Sequence, residues 1–108
     1  MKITRIPEAA GANPEGVFAM PLLEGEQSNV RIIRLAPGRA LPPHRHSVSD
    51  LMLFVVTGNG ELDQPTGVVP FPAGALAYYA GNEELRVRNA GSVEMTMLAF
   101  LAPKFAAS

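Results

Sequence analysis

Glycine and proline interrupt this chain so often that no long helix fits between them. Ten residues of each type are spread over 108 positions, and both residue types destabilise the interior of a helix. The runs between them are short and apolar, as in VRIIRL, LMLFVV and VEMTMLAFL. Short apolar runs separated by Gly/Pro turns are typical of all-β sandwiches and barrels. We therefore expect an all-β protein.

The order of residues within these runs agrees with strands. In Asn29–Leu35 the even-numbered side chains fall on one face of a strand and the odd-numbered side chains on the other. In Val93–Phe100 the residues Met95 and Met97 share a face in the same way. The segment Leu51–Val56 is apolar at every position. This pattern predicts a central strand that is covered on both sides.

Length, charge and cysteine content exclude several classes of protein. We expect one domain over residues 1–108, with an N-terminal arm at 1–14 and a loose tail at 103–108. The net charge of −1 and the dispersed basic residues do not form the basic stripe that a nucleic-acid partner requires. The absence of cysteine excludes disulfides, zinc–thiolate sites and a cysteine nucleophile.

Nothing in the sequence resembles a signal peptide or a membrane helix. The opening residues MKITRIPEAA lack an apolar core, and no apolar run approaches the ~20 residues that a membrane helix needs. We expect a cytoplasmic protein that has no membrane partner.

The only two histidines, His44 and His46, are one residue apart and follow a proline-rich bend. Two residues so spaced in a strand point to the same face with Cα atoms ~6–7 Å apart, which suits two ligands on one ion. Catalytic zinc normally keeps three protein ligands, and non-haem iron takes two histidines and a carboxylate. Asp50 is the one carboxylate near enough in sequence to be the third ligand. The turn expected at Ser47–Ser49 leaves open which way Asp50 faces.

The spacing of these residues resembles the motifs of the cupin superfamily. The first cupin motif reads Gly, five residues, His-x-His, three or four residues, Glu, six residues, Gly. Four residues of this chain stand at its spacings: Gly38, His44, His46 and Gly58. The second motif reads Gly, five residues, Pro-x-Gly, two residues, His, three residues, Asn, and Gly74 and Asn89 match its two ends. The resemblance covers roughly residues 30–101.

This resemblance implies a small antiparallel β-barrel of two packed sheets, the jelly-roll-like double-stranded β-helix, in a homodimer. It also implies a metal site of three histidines and one glutamate. In this chain the glutamate position falls on Leu51 and the third histidine position on Leu85. The Pro and second Gly of the second motif fall on Ala80 and Asn82, and we interpret Asn89 as a structural residue at a strand end. Because leucine does not bind cations, the metal site is degenerate.

Leucine at both ligand positions makes the expected barrel interior apolar, which suits a small apolar or aromatic ligand. Our candidates for the lining of this pocket are Leu51, Leu53, Tyr78, Tyr79, Leu85, Val87, Met95 and Met97. We favour a small-molecule-binding cupin with a degenerate metal site and an unknown activity.

Two alternatives stay open, so the sequence does not decide whether the protein is an enzyme. The first is a metal-dependent oxygenase, isomerase or lyase that uses His44, His46 and Asp50 to hold iron, manganese, nickel or zinc. The second is a structural or regulatory module whose barrel is filled by its own side chains.

Overall fold

The computed structural model describes residues 1–7 and 16–104 and consists of strands joined by turns. Its strands are β1 (Val17–Glu24), β2 (Asn29–Leu35), β3 (Asp50–Thr57), β4 (Asn59–Gln64), β5 (Gly67–Pro72), β6 (Leu76–Tyr79), β7 (Val87–Asn89) and β8 (Met95–Ala102). Half of the expected arm, residues 8–14, and most of the expected tail, 105–108, lie outside the described residues. Within the described ranges no helix is long and apolar enough to cross a membrane.

The strands form two antiparallel sheets. The larger has the order β1-β2-β8-β3-β6, and the smaller has the order β5-β4-β7. Since β2 and β3 are both neighbours of β8, the C-terminal strand lies at the centre of the larger sheet. The all-β double-sheet fold expected from the sequence is confirmed.

The core lies against the inner face of the larger sheet. The buried side chains of its central strands alternate along each strand, as the pleat requires. They are Leu51, Leu53 and Val55 of β3 and Met95, Met97, Ala99 and Leu101 of β8. The smaller sheet and its turns contribute Leu62, Phe71, Leu85 and Val87 to the same cluster.

The outer face of β3 corrects one expectation from the sequence. An apolar residue at every position of Leu51–Val56 predicted cover on both sides, but Met52 is 48% exposed and Phe54 is only partly buried. Strand β3 lies within its sheet, between β8 and β6. Among residues 1–7 and 16–104, the side chains that bury β3 pack mainly against its inner face, so this part of the chain leaves much of the outer face exposed.

The side chain of Asn89 links the end of β7 to two other segments by hydrogen bonds. Its Nδ2 donates hydrogen bonds to the carbonyl oxygens of Leu35, at 2.8 Å, and Val93, at 2.7 Å. Its Oδ1 accepts a hydrogen bond from the backbone N–H of Gly91 at 2.9 Å. Because the side chain is buried, these bonds replace those that water would otherwise make.

Candidate functional site

The loop that carries the two histidines is held by backbone pairing to the segment before β7. The N–H of His44 donates to the carbonyl of Leu85 at 3.4 Å, and the N–H of Leu85 donates to the carbonyl of His44 at 2.9 Å. The N–H of His46 donates to the carbonyl of Gly81 at 3.0 Å. A Cβ on Gly81 would lie 1.8 Å from the carbonyl oxygen of Ser47, so only glycine permits this close approach.

The two imidazoles lie against each other. Their ring centroids are 4.6 Å apart, with the ring planes inclined at 68°. Nδ1 of His44 lies 2.8 Å from the carbonyl oxygen of Pro42. A carbonyl only accepts, so Nδ1 of His44 carries a proton and donates this hydrogen bond.

His46 is the deeper member of the pair and is only 5% exposed. Burial, and then the proximity of His44, lower the pKa of His46 from 6.5 to about 4. Desolvation opposes the charged form of an imidazole, and a second positive charge nearby opposes it further. The His46 ring is therefore neutral at pH 7.

The His pair borders a cavity of about 310 Å³ inside the barrel. Its lining comes mainly from the inner face of the larger sheet and from the histidine loop. The lining residues are Ala19, Arg31, Ile33, Leu41, His44, Arg45, His46, Leu51, Leu85, Ala99 and Leu101. Apolar side chains form most of this surface. The ionisable groups in it are all basic, and no carboxylate is among these described lining residues.

Arg31 brings a charge into this apolar interior. It lies on the same face of β2 as the buried Ile33 and Leu35, and it is paired in register with Ala99 of β8. Its Nη1 atom is buried, and no hydrogen-bond partner for it occurs in residues 1–7 and 16–104. Sequence reasoning missed Arg31 as a site residue. The signal was present, because a charged residue stands among the odd-numbered, inward-facing positions of β2.

The structure does not bring Asp50 to the histidines. Asp50 is exposed, and its Oδ1 accepts a hydrogen bond from the Tyr78 hydroxyl at 3.0 Å. Leu51, the next residue along β3, takes the inward position and lines the cavity. Alternation along β3 therefore turns Asp50 outward, and the turn after His46 separates the carboxylate from the face that the histidines share.

The pocket candidates divide into three groups. Leu51 and Leu85 lie in the cavity lining together with the histidines. Tyr78 is 54% exposed on the outer face, where its hydrogen bond to Asp50 is the largest factor that raises its pKa. The remaining candidates are buried in the core but are not part of the cavity lining: Leu53, Tyr79, Val87, Met95 and Met97.

Tyr79 shows why a core tyrosine need not point into a pocket. Its hydroxyl accepts a hydrogen bond from Nε2 of Gln64 at 2.7 Å. Burial raises the pKa of Tyr79 above its usual value. The hydroxyl of Tyr79 therefore has its hydrogen-bond partner in the smaller sheet, because Gln64 belongs to β4.

The arrangement of two antiparallel sheets around a His-x-His loop can be compared with known families. The sequence model of the family described as "Cupin domain" matches residues 31–101. The chain belongs to the cupin family. The match includes the two histidines and both segments that resemble the cupin motifs.

Solved structures agree with this membership. An RmlC-like cupin protein from Desulfovibrio desulfuricans is 25% identical, with a TM-score of 0.83 over 97% of this chain and 99% of that one. A predicted oxalate decarboxylase from Thermotoga maritima is 22% identical, with a TM-score of 0.73 over 81% of this chain and 80% of that one. A search of curated proteins found no match.

A third structure shows how widely the fold is used. The cupin domain of an XRE family transcriptional regulator from Enterobacter cloacae is 16% identical, with a TM-score of 0.71 over 81% of this chain and 96% of that one. A predicted decarboxylase and a domain of a transcriptional regulator thus share the fold with this cupin. Its function must be argued from its own cavity.

The residues of this cupin do not fit the metal that the family resemblance implies. His44 and His46 supply two imidazole nitrogens, but Leu51 and Leu85 occupy the positions of the other two ligands. In the part of the chain that the structure describes, no group of three or more His, Asp or Glu side chains is placed to hold an ion. Two imidazoles are fewer ligands than zinc or non-haem iron sites use.

Proposed function

We propose that this cupin binds a small organic molecule in the barrel cavity, beside His44 and His46, with a degenerate metal site. The observation that carries the proposal is the combination of a cavity of about 310 Å³ with leucines at both of the lost ligand positions, Leu51 and Leu85. A side-chain-filled barrel would have no such space.

The chemistry of the cavity supports binding of a small, mostly apolar ligand. Its volume is at the lower end of the roughly 300–1,000 Å³ that small-molecule pockets occupy. Pockets of this kind combine apolar walls with a few polar groups that orient the ligand. Here Leu51, Leu85 and Leu101 supply apolar wall, and the two imidazoles supply polar contacts.

Ligand-observed NMR with a library of small organic fragments tests the proposal. Ala99→Leu adds a branched side chain inside the cavity, whereas Ala90→Leu makes the same change at an exposed position. We expect fragments to bind the native protein and the Ala90→Leu variant but not the Ala99→Leu variant. Equal binding to all three proteins would place the fragments elsewhere, and no binding to the native protein would support the filled structural module.

Elemental analysis separates this proposal from a metal-dependent enzyme. We expect the purified, tag-free protein to hold iron, manganese, nickel and zinc far below stoichiometry, and the His44→Ala/His46→Ala variant to match it. Near-stoichiometric metal that is lost in the variant would support the enzyme.

The homodimer and the cytoplasmic location stay predictions from the sequence. Static light scattering of the purified protein tests the dimer, and cell fractionation tests the location.

A further inference from the structure

Arg31 lacks the ion pair that most arginines of the described chain form. Four arginines of the described chain form ion pairs with glutamates: Arg34, Arg45, Arg86 and Arg88. Arg31 has no carboxylate partner in the described residues, although its Nη1 atom is shielded from solvent. Arg5 and Arg39 also lack an ion-pair partner among the described residues, but both are exposed to solvent. Among the described arginines, Arg31 is therefore the one that combines a buried, unpartnered guanidinium nitrogen with a place in the cavity lining.

An arrangement of this kind is unfavourable unless something else completes it. A guanidinium group stays protonated at every accessible pH. A buried N–H without an acceptor is destabilising, and more so when the group is charged. Buried polar groups in native proteins normally have a partner. A water molecule would satisfy the N–H, but it would leave the positive charge unbalanced, whereas an anion satisfies both.

The residues around Arg31 indicate which chemical groups a ligand would need besides an anion. Ala99, its partner in register on β8, is small and lines the cavity together with Arg31. The cavity wall beyond it is apolar, with Leu51, Leu85 and Leu101. Arg45 also lines the cavity, but its Nη1 lies 3.5 Å from Oε2 of Glu84 and its Nε donates to the carbonyl of Asn82. One unbalanced positive charge therefore faces an apolar space.

We infer that the ligand is a small monocarboxylic acid whose carboxylate pairs with Arg31 and whose apolar body packs on the leucines. This inference rests on the proposed function, because it names the class of molecule that the cavity binds. A carboxylate matches the planar fork of a guanidinium group, and such charge-assisted bonds are roughly twice as strong as neutral ones. A dicarboxylate or a phosphate ester would bring a second charge into a wall that offers it no free cation.

Matched acids and amides test the charge directly, because they have nearly the same shape. The probes are benzoate and benzamide, phenylacetate and phenylacetamide, and isobutyrate and isobutyramide, each titrated at pH 7 into ¹⁵N-labelled protein and followed by NMR. We expect the native protein to bind at least one acid about tenfold or more tightly than its amide, which corresponds to about 1.4 kcal/mol.

Variants of Arg31 identify the group responsible. In Arg31→Met we expect the preference for the acid to disappear while the affinity for the amide changes little. Arg31→Lys keeps the charge without the planar fork, so we expect it to retain part of the preference. Arg86→Met removes an exposed arginine outside the cavity and serves as the matched control, with the native preference unchanged.

The outcomes separate this inference from the proposed function. If acids and amides bind the native protein equally well, the monocarboxylate inference is overturned while small-molecule binding stands. A preference for the acid that persists in Arg31→Met, with a well-dispersed NMR spectrum, also overturns it. If no acid of the series binds, the inference fails, and the fragment screen with Ala99→Leu decides separately whether the cavity binds anything.

Discussion

His44 and Leu85 pair with each other as an isolated antiparallel bridge, 41 positions apart in a chain whose two motif-like segments meet at this point. Two reciprocal backbone hydrogen bonds, of 3.4 and 2.9 Å, hold them side by side. Both side chains line the cavity. The backbone that would place a third imidazole beside the first is therefore present, and only the side chain differs.

The double substitution Leu51→Glu/Leu85→His should create a metal site. It supplies a carboxylate and a third imidazole at two cavity-lining positions, next to the existing pair. We expect near-stoichiometric Zn²⁺ or Mn²⁺ by elemental analysis after incubation and desalting. The melting temperature should fall without metal, because Leu51 is fully buried and a lone carboxylate there is desolvated. Metal should restore it.

Met52→Glu/Arg86→His is the matched control for the Leu51→Glu/Leu85→His variant. It places the same residue types at the neighbouring positions in sequence, which are exposed. We expect no stoichiometric metal in this protein. Equal metal content in the two double variants would show that the leucine positions are not the missing ligand positions.

The stability of the protein should decrease as the pH falls from about 6.5 towards 4. The folded-state pKa of His46 lies at about 4, below the unfolded value of 6.5. Between these values the unfolded chain binds a proton that the folded chain does not, so acid favours unfolding. From pH 7 to pH 4.5 we expect this group to lower the free energy of unfolding by about 2–3 kcal/mol.

Urea unfolding of the native protein and of His46→Gln, each at pH 7 and at pH 4.5, measures this contribution. The carboxylates affect both proteins equally, so their effect cancels when the two losses of stability are subtracted. A loss of stability of the same size in both proteins would contradict the assignment to His46. NMR titration of the imidazole signals locates the two pKa values independently.

Arg31 and Arg34 lie on opposite faces of β2, and their substitution should have opposite effects on stability. Arg34 is buried, donates to Oγ1 of Thr96 at 3.4 Å and to the carbonyl of Pro7, and lies 3.7 Å from Oε1 of Glu94. Arg34→Met removes these contacts and should lower the melting temperature.

Arg31→Met removes a charge that the described chain does not balance, so without ligand it should raise the melting temperature, by roughly 4–8 °C for about 1 kcal/mol. Scanning calorimetry of the two variants in ligand-free buffer makes the comparison. A decrease for Arg31→Met as large as that for Arg34→Met would indicate that Arg31 is a structural residue.

Asn89→Ala should destabilise the fold by about 2–4 kcal/mol, because it leaves the buried carbonyl of Leu35 without its donor and removes two further hydrogen bonds. Urea denaturation measures the change. Asn82→Ala, at an exposed position, is the control and should change the stability by less than about 0.5 kcal/mol. Similar values for the two variants would contradict a structural role for the Asn89 amide.

Local patterns in the sequence predicted much of the fold. The alternating run Asn29–Leu35 coincides with β2 from its first residue to its last. The fixed spacing of Gly38, His44, His46 and Gly58 indicated the family, because turns and close contacts of a barrel recur at set intervals. Gly58 has φ +94°, and a Cβ there would lie 2.8 Å from Cα of Met95, so side chains are excluded at that point.

The local sequence pattern did not predict correctly how the two faces of β3 are buried. A fully apolar strand predicted burial on both faces, yet within the described part of the chain only the inner face is fully buried. Hydrophobic residues indicate that burying a surface is favourable. They do not record which part of the chain covers it.

The sequence by itself determined the all-β class, the family and the pairing of the two histidines, because all three depend on residue types at short, fixed separations. Only the tertiary structure decided that Asp50 faces outward to Tyr78 and that Arg31 faces the cavity. Alternation places neighbouring side chains on opposite faces of a strand but does not say which face is inside. That choice is made by the packing of the two sheets, which brings together residues distant in the chain.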